Sequence, residues 1–153
     1  MSYLELKVPP LALCLVFAGA VINLGHFVPT ANLPFPGHEM VAVAAVLMGV
    51  AVGVAAIVQF RLVQTTVNPL VPDRASTFVV AGVFRYSRNP MYLGMAIALF
   101  GVAAWWSTLP GYGLVPLFCI YMTQYQIKPE ERALRALFHD SVLAYRAKVR
   151  RWI

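Results

Sequence analysis

The sequence predicts an all-α integral membrane bundle of about four transmembrane helices, followed by a C-terminal cytoplasmic amphipathic helix. Of its 153 residues, 60% are hydrophobic and 12% are charged, whereas about a quarter of the residues in a soluble domain are charged. The mean hydropathy is +0.71, and the apolar residues are gathered into long runs. The length is typical of one domain, so residues 1–153 are predicted to form a single membrane domain.

Four apolar segments are long enough, or nearly so, to cross a bilayer, which takes about 20 residues. They cover residues 11–28, 41–60, 91–106 and 112–127. Prolines bound the first segment, and no signal-peptide cleavage site follows its single preceding lysine, so we expect a retained span. The stretch STLPGYG predicts a tight turn between the third and fourth spans, with Gly111 and Gly113 in the loop.

The second span contains Gly49 and Gly53, a spacing of small residues that lets two helix backbones approach closely. The sequence leaves open whether this face packs within the chain or across a dimer. Cys14 and Cys119 lie inside apolar runs and are interpreted as packing residues. No metal, haem, phosphate-loop or glycine-rich dinucleotide motif is present.

The basic residues indicate the orientation. All 12 lysines and arginines fall in residues 1–10, called here the N-terminal lead, in residues 61–90 or after residue 127. The positive-inside rule then places both termini and the long connection in the cytoplasm, at the inner membrane if the protein is bacterial. This placement accounts for the net charge of +6, so membrane lipids are expected as partners and nucleic acid is not.

The tail after residue 128 predicts an amphipathic helix on the membrane surface or under the bundle. It begins with Pro129 at a favoured first position, followed by Glu130 and Glu131 near the positive helix end. Apolar residues then recur at helical spacing, and basic residues occupy the opposite face. The apolar positions are Leu134, Leu137, Phe138, Val142, Tyr145 and Val149.

A polar stretch, RYSRNPMYLG, stands at the mouth of the third span. Asn89 and Pro90 predict an N-cap and a first helical residue. Arg85 and Arg88 are interpreted either as interfacial anchors or, with the helix start, as an anion site. Because the glutamate pair follows the other arm of the same hairpin, we expect it close to Arg88. Alternatively, the two glutamates only interact favourably with the positive end of the helix dipole. Both signs of charge together suit a zwitterionic cofactor beside an apolar substrate.

Two segments carry a family resemblance. GVFRYSRNPMYLG, followed by KPEERALRALFHDSVLAYRAKVRRWI, resembles the isoprenylcysteine carboxyl methyltransferases and the related phospholipid methyltransferases. The resemblance covers roughly residues 65–153 and implies a cofactor-binding region there. It implies methyl transfer from S-adenosyl-L-methionine to a lipophilic membrane acceptor. The cofactor is then expected on the cytoplasmic side, between the last helical hairpin and the C-terminal helix.

The resemblance also implies site residues. Gln126 would contact substrate, in place of an arginine in relatives, which argues against a prenylcysteine carboxylate as acceptor. His139 stands where relatives have glycine, so the tail helix is expected to continue without a break. Asn89 replaces a frequent histidine. The residues implied to bind the cofactor are Ser76, Thr77, Phe78, Val79, Phe84, Asn89, Pro90, Met91, Tyr92 and Glu130.

The candidate catalytic residues are Arg88, Tyr92 and Glu131. A carboxylate acceptor needs no base, whereas an amine, phenol or alcohol needs a proton acceptor, for which Tyr92 and Glu131 are the candidates. Arg88 or the start of the third helix would hold the cofactor carboxylate. Two alternatives remain open: an NADPH-dependent membrane reductase of similar C-terminal architecture, and a non-catalytic membrane scaffold.

Overall fold

A computed structural model describes residues 5–62 and 80–153. Within those residues the regular secondary structure is helical, apart from one isolated bridge between Asn32 and Thr108, so the all-α prediction is confirmed. Short 3-10 turns cover Pro29–Ala31 and Gly82–Arg85, and a π-helical turn covers Thr123–Ile127. The five α-helices are α1 (Pro10–Phe27), α2 (His38–Leu62), α3 (Pro90–Trp106), α4 (Leu109–Met122) and α5 (Lys128–Lys148).

Two of these helices are long and apolar enough to cross a membrane. They are α1, with 18 residues, and α2, with 25. Only 22% of each apolar window is buried, whereas the core helix of a soluble protein would be mostly covered. Large apolar side chains such as Leu15 and Val16 point outward, 64% and 67% exposed, which suits contact with lipid. Helix α3 is apolar but has 17 residues, and α4 has 14.

Helices α2 and α3 pack closely because glycines line their contact. A Cβ atom at Gly94 would lie 2.5 Å from the Gly49 carbonyl oxygen and 3.0 Å from the Gly53 nitrogen. At Gly101, a Cβ would lie 2.7 Å from Val46 Cγ2. Gly49 and Gly53 therefore pack within the chain, on α3. Helices α1, α3 and α4 meet at a second apolar core that includes Val21, Leu99, Phe118, Met122 and Ile127.

The connection between α3 and α4 is shorter than predicted. Ser107 ends α3 in the left-handed conformation, at φ 46°, and α4 begins two residues later at Leu109. Gly111 and Gly113 therefore lie inside α4, and the prediction that they occupy a loop is wrong. One left-handed residue reverses the chain at once, and Pro110, early in α4, is compatible with a first helical turn.

The tail helix does not start afresh at Pro129. Helix α4 continues through the π turn into α5, so the expected separate start is wrong. A proline has no N–H for the carbonyl four residues earlier, and here the Tyr125 carbonyl instead accepts a hydrogen bond from Leu6 N–H at 3.0 Å. The π turn and the N-terminal lead together absorb the proline.

The tail helix does break at His139. The expectation that the helix would continue unbroken, because histidine stands there in place of the relatives' glycine, is therefore wrong. His139 has φ 29° and ψ −101°, a non-helical conformation inside α5. Beyond it, Val142 is 3% exposed and Tyr145 donates a hydrogen bond to the Phe84 carbonyl oxygen at 2.5 Å. The break turns the second half of α5 back onto the bundle, and these contacts offset the unfavourable φ of a non-glycine residue.

Candidate functional site

The start of α3 and the start of α5 meet at one end of the bundle. Tyr92, in the first turn of α3, is 4% exposed, and its hydroxyl donates a short hydrogen bond to Glu130 Oε1 in the first turn of α5. Two residues 38 positions apart are thus joined at the same point. The bond ties the hairpin to the tail helix and places one carboxyl group beside the apolar core.

Glu130 is shifted towards its neutral form. Burial raises the pKa of Glu130 to about 8, and the neighbouring charge of Glu131 acts in the same direction, while the hydrogen bond from Tyr92 opposes both. A carboxyl group with such a pKa carries a proton in a large fraction of molecules at neutral pH. It can therefore accept or donate a hydrogen bond.

Glu131 has the opposite environment. Its carboxylate lies 3.0 Å from Arg88 Nη1, 2.9 Å from Arg151 Nη2 and 3.7 Å from Arg146 Nη2. Burial alone would raise its pKa, but the hydrogen bond from Arg151 and the three arginine charges outweigh burial and hold that pKa below its ordinary value. The predicted closeness of Arg88 and the glutamate pair is confirmed.

Arg88 is a buried cation with unused donors. Its side chain is 13% exposed, and burial lowers its pKa despite the charge of Glu131. Nε and Nη1 have no hydrogen-bond partner among the described residues, because the contact with Glu131 lacks the alignment of a hydrogen bond. The Nε–H therefore remains available to an anionic oxygen, whereas Nη1 lies 3.0 Å from the Glu131 carboxylate.

The end of the chain folds over this site, which the sequence did not reveal. The Arg88 N–H donates to the Arg150 carbonyl at 3.0 Å, and Asn89 Nδ2 donates to the Arg151 carbonyl at 2.9 Å. Farther along, Trp152 Nε1 donates to Thr123 Oγ1 at 3.2 Å. Basic residues near a chain end are usually solvated, so no sequence pattern distinguished Arg151.

The amide of Asn89 is used differently from the prediction. Asn89 does precede Pro90 at the N-cap position, but its side chain makes no capping hydrogen bond. The expected side-chain cap is therefore wrong. The competing acceptor is the Arg151 carbonyl, and the Asn89 carbonyl still accepts the Leu93 N–H at 2.9 Å. This residue joins the helix start to the tail.

Apolar candidates line the flank of the same region. Phe84 is 6% exposed and packs edge-on against Phe60, with ring centroids 5.2 Å apart. Met91 packs against the core between α1, α3 and α4 and against a smaller cluster formed by Ala56 and Phe84, and Pro90 is buried at the start of α3. Tyr145, which the sequence marked only as an apolar position of the tail, holds the Phe84 carbonyl. Burial raises the pKa of Tyr145 to about 12, while Arg88 acts against that rise.

Gln126 is fully buried one helical turn before Glu130. Its Nε2 donates to the Val8 carbonyl at 2.6 Å, whereas Oε1 has no partner in the described part of the chain. Gln126 thus fastens the N-terminal lead. Ser76, Thr77, Phe78 and Val79 lie outside the described residues. Within residues 5–62 and 80–153, no group of three or more His, Cys, Asp or Glu side chains could hold a metal ion.

Comparison with known proteins identifies the family of the chain. An uncharacterized protein of Haemophilus influenzae is 33% identical over 63 residues, which are 41% of this chain and 100% of that protein. No solved structure matches the chain significantly. The family model described as phospholipid methyltransferase matches residues 38–141, about two thirds of the chain, and it confirms the resemblance found in the two sequence motifs. The chain therefore belongs to the phospholipid methyltransferase family, a family of membrane methyltransferases.

Proposed function

We propose that this protein transfers a methyl group from S-adenosyl-L-methionine to a lipophilic acceptor in the membrane. The cofactor would lie at the polar end of the bundle, between the α3–α4 hairpin and α5, within the region of residues 65–153. Both termini and this site would face the cytoplasm, with α3 and α4 completing four spans beside α1 and α2. The family membership and the basic residues at one end of the bundle support this arrangement.

The observation that carries the proposal is the Tyr92–Glu130 hydrogen bond at the junction of the two family motifs. It brings together a buried carboxyl group and the start of α3, two elements far apart in sequence. Glu130 would hold an ammonium or a ribose hydroxyl of the cofactor, for which a carboxyl oxygen is a suitable acceptor. The Nε–H of Arg88, which has no hydrogen-bond partner among the described residues, suits the cofactor carboxylate.

The bound cofactor would supply a methyl group bonded to its positively charged sulfonium sulfur, with a neutral thioether as the leaving group. The chain would align the acceptor with this methyl group and exclude water from the site. Both effects favour methyl transfer more than a strong base does. Phe84, Met91 and Pro90 supply the apolar wall, and the tail covers the start of α3.

An amine acceptor would also need a proton acceptor, and the two glutamates differ in their suitability. Glu131 is held by three arginines, which keep its proton affinity low. Glu130 has a pKa of about 8, so its ionised fraction can accept a proton at cellular pH. We therefore place proton acceptance at the Tyr92–Glu130 pair, and anchoring of Arg88 at Glu131. Gln126 would lie on the membrane side of the pair, near the acceptor.

The test is a calorimetric titration of S-adenosyl-L-methionine into the detergent-purified protein, with NADPH as the comparison ligand. Saturable binding of the first ligand alone, lost in Glu130→Gln, is expected. Asp140→Asn is the matched control, because it makes the same carboxyl-to-amide change at an exposed residue of α5. Binding of NADPH instead, or of neither ligand by folded protein, would overturn the proposal in favour of a reductase or a non-catalytic scaffold. Labelled methyl groups then identify the acceptor.

A further inference from the structure

A basic cleft lies on the polar side of α5. It has a volume of about 260 Å³ and is lined by Lys128, Glu131, Arg132, Arg135, Arg146 and Arg151. Five cationic side chains thus face one space with one carboxylate among them. Like charges held this closely repel one another, so an anion in the cleft would be bound favourably.

The charges of the cleft are only partly neutralised by the protein. Glu131 is shared by Arg146 and Arg151, and Arg132 pairs at 2.6 Å with Glu5 of the N-terminal lead. Lys128 donates to the neutral Gln124. Among the described residues, no ion pair joins an acid to Lys128 or to Arg135. The cleft therefore keeps an excess of positive charge that protein groups do not balance.

The position of the cleft indicates the source of its ligand. Lys128 directly follows Ile127, the fully buried residue where the apolar run of the α4 arm ends. In the proposed topology, where α4 is the fourth span, the cleft begins where this helix leaves the hydrocarbon, the depth at which lipid phosphates lie. Arginine forks bind phosphate oxygens in pairs, and basic pockets next to spanning helices suit anionic head groups.

The cleft adjoins the proposed site of methyl transfer through Glu131, which also pairs with Arg88, but it does not include the Tyr92–Glu130 pair. Its lining includes neither Tyr92 nor Glu130. Adjacent residues of an α-helix point about 100° apart, so Glu130 faces the core of the bundle while Glu131 faces the cleft. A molecule in the cleft therefore does not contact the Tyr92–Glu130 pair.

We propose that this cleft binds the phosphate of a membrane phospholipid whose head group carries a net negative charge. This lipid is not itself the methyl acceptor. Binding there would hold α5 and the C-terminal tail against the membrane surface. The inference does not depend on methyl transfer, but its lipid source rests on the proposed topology in which α4 spans the membrane.

The test measures thermal unfolding of the full chain in a neutral detergent while a short-chain lipid is titrated. Phosphatidylglycerol is expected to raise the unfolding midpoint saturably, and phosphatidylcholine is not. Arg132→Gln/Arg135→Gln should raise the apparent Kd for phosphatidylglycerol about 25-fold, since each basic residue near an anionic surface increases the binding affinity about five-fold. Arg61→Gln/Arg150→Gln removes the same charge from exposed residues outside the cleft and should leave the Kd unchanged.

Inorganic phosphate, titrated in parallel, distinguishes the two sources of a phosphate group. Weaker binding of phosphate than of phosphatidylglycerol, with the same dependence on Arg135, supports the lipid as the ligand. Tighter binding of inorganic phosphate would overturn the lipid source, and equal losses in both double variants would overturn the cleft itself. If Arg132→Gln/Arg135→Gln does not fold, Lys128→Gln/Arg135→Gln makes the same test without disturbing the Arg132–Glu5 pair. Absence of binding by either ligand refutes the inference.

Discussion

Replacing Glu131 by glutamine should destabilise the protein far more than removing any one surface charge. The carboxylate lies 3.0 Å from Arg88, and each of the two side chains is only 13% exposed. Breaking a buried ion pair by removing one partner costs about 3–5 kcal/mol, because the other charge stays buried without compensation. Since glutamine keeps the shape and one acceptor oxygen, we expect a loss of about 3 kcal/mol, at the low end of that range.

The matched control is Arg146→Gln, which removes a different partner of the same carboxylate. Arg146 lies 3.7 Å away and is 34% exposed, and exposed pairs contribute about 0–1 kcal/mol. For chains of about 150–250 residues, 1 kcal/mol corresponds to about 2–4 °C in the midpoint. Glu131→Gln should therefore lower the midpoint by about 6–12 °C, and Arg146→Gln by at most about 4 °C.

Thermal unfolding in detergent, followed by tryptophan fluorescence, provides the measurement, because Trp152 adjoins Arg151 in the tail. Acid supplies a second check. The pKa of Glu131 is held below its ordinary value of 4.5, so its stabilising effect is present above pH 4.5 and is lost as pH falls through the folded-state pKa. The difference between native protein and Glu131→Gln should shrink over that acid range. Equal midpoint losses in the two variants would refute the assignment of Glu131 as the centre of this network.

Three further predictions, which use four substitutions, test other parts of the structure. Gly101→Ala should destabilise the protein by about 1–3 kcal/mol, because the new Cβ would lie 2.7 Å from Val46 Cγ2. Gly113→Ala, with open space around the new Cβ, should stabilise the protein by up to about 1 kcal/mol. The reverse order of unfolding midpoints would contradict the α2–α3 packing. His139→Gly should raise the unfolding midpoint, because glycine adopts a φ of 29° with little strain, and a lowered midpoint would count against the break. Glu130 has a folded pKa of about 8, above its unfolded value of 4.5, so native stability should decline as pH rises from 4.5 to 8, and this decline should be absent in Glu130→Gln.

Much of the fold could be predicted from the sequence because apolar runs and prolines act locally. The ends of α1 and α3 fall within one residue of the predicted spans, since Pro9, Pro10 and Pro90 fix where those helices begin. The turn between α3 and α4 was predicted too long because glycine occurs both in turns and at close helix contacts. Only the left-handed Ser107 distinguishes these cases, and no residue preference predicts a serine there.

Part of the candidate site could also be predicted from the sequence. The closeness of Arg88 to the glutamate pair followed from the hairpin, because both arms of a hairpin must end at the same side. The separate environments of the two glutamates did not follow, since they depend on where the last residues of the chain lie. Arg151 reaches Glu131 only after the break at His139, and the sequence, lacking glycine at that position, predicted an unbroken helix.

The two neighbouring glutamates explain how one helical turn serves two tasks. Because α5 rotates by about 100° between Glu130 and Glu131, one carboxyl group enters the bundle and meets Tyr92, while the other meets the arginines of the tail. The ionised Glu131 raises the pKa of Glu130 and at the same time holds Arg88, the cation nearest the start of α3. A change at Glu131 therefore reaches the proposed cofactor site in two ways, through the charge felt by Glu130 and through the position of Arg88. Glu131→Asp, which keeps the charge and shortens the reach, separates them: the pH dependence set by Glu130 should persist while cofactor affinity falls.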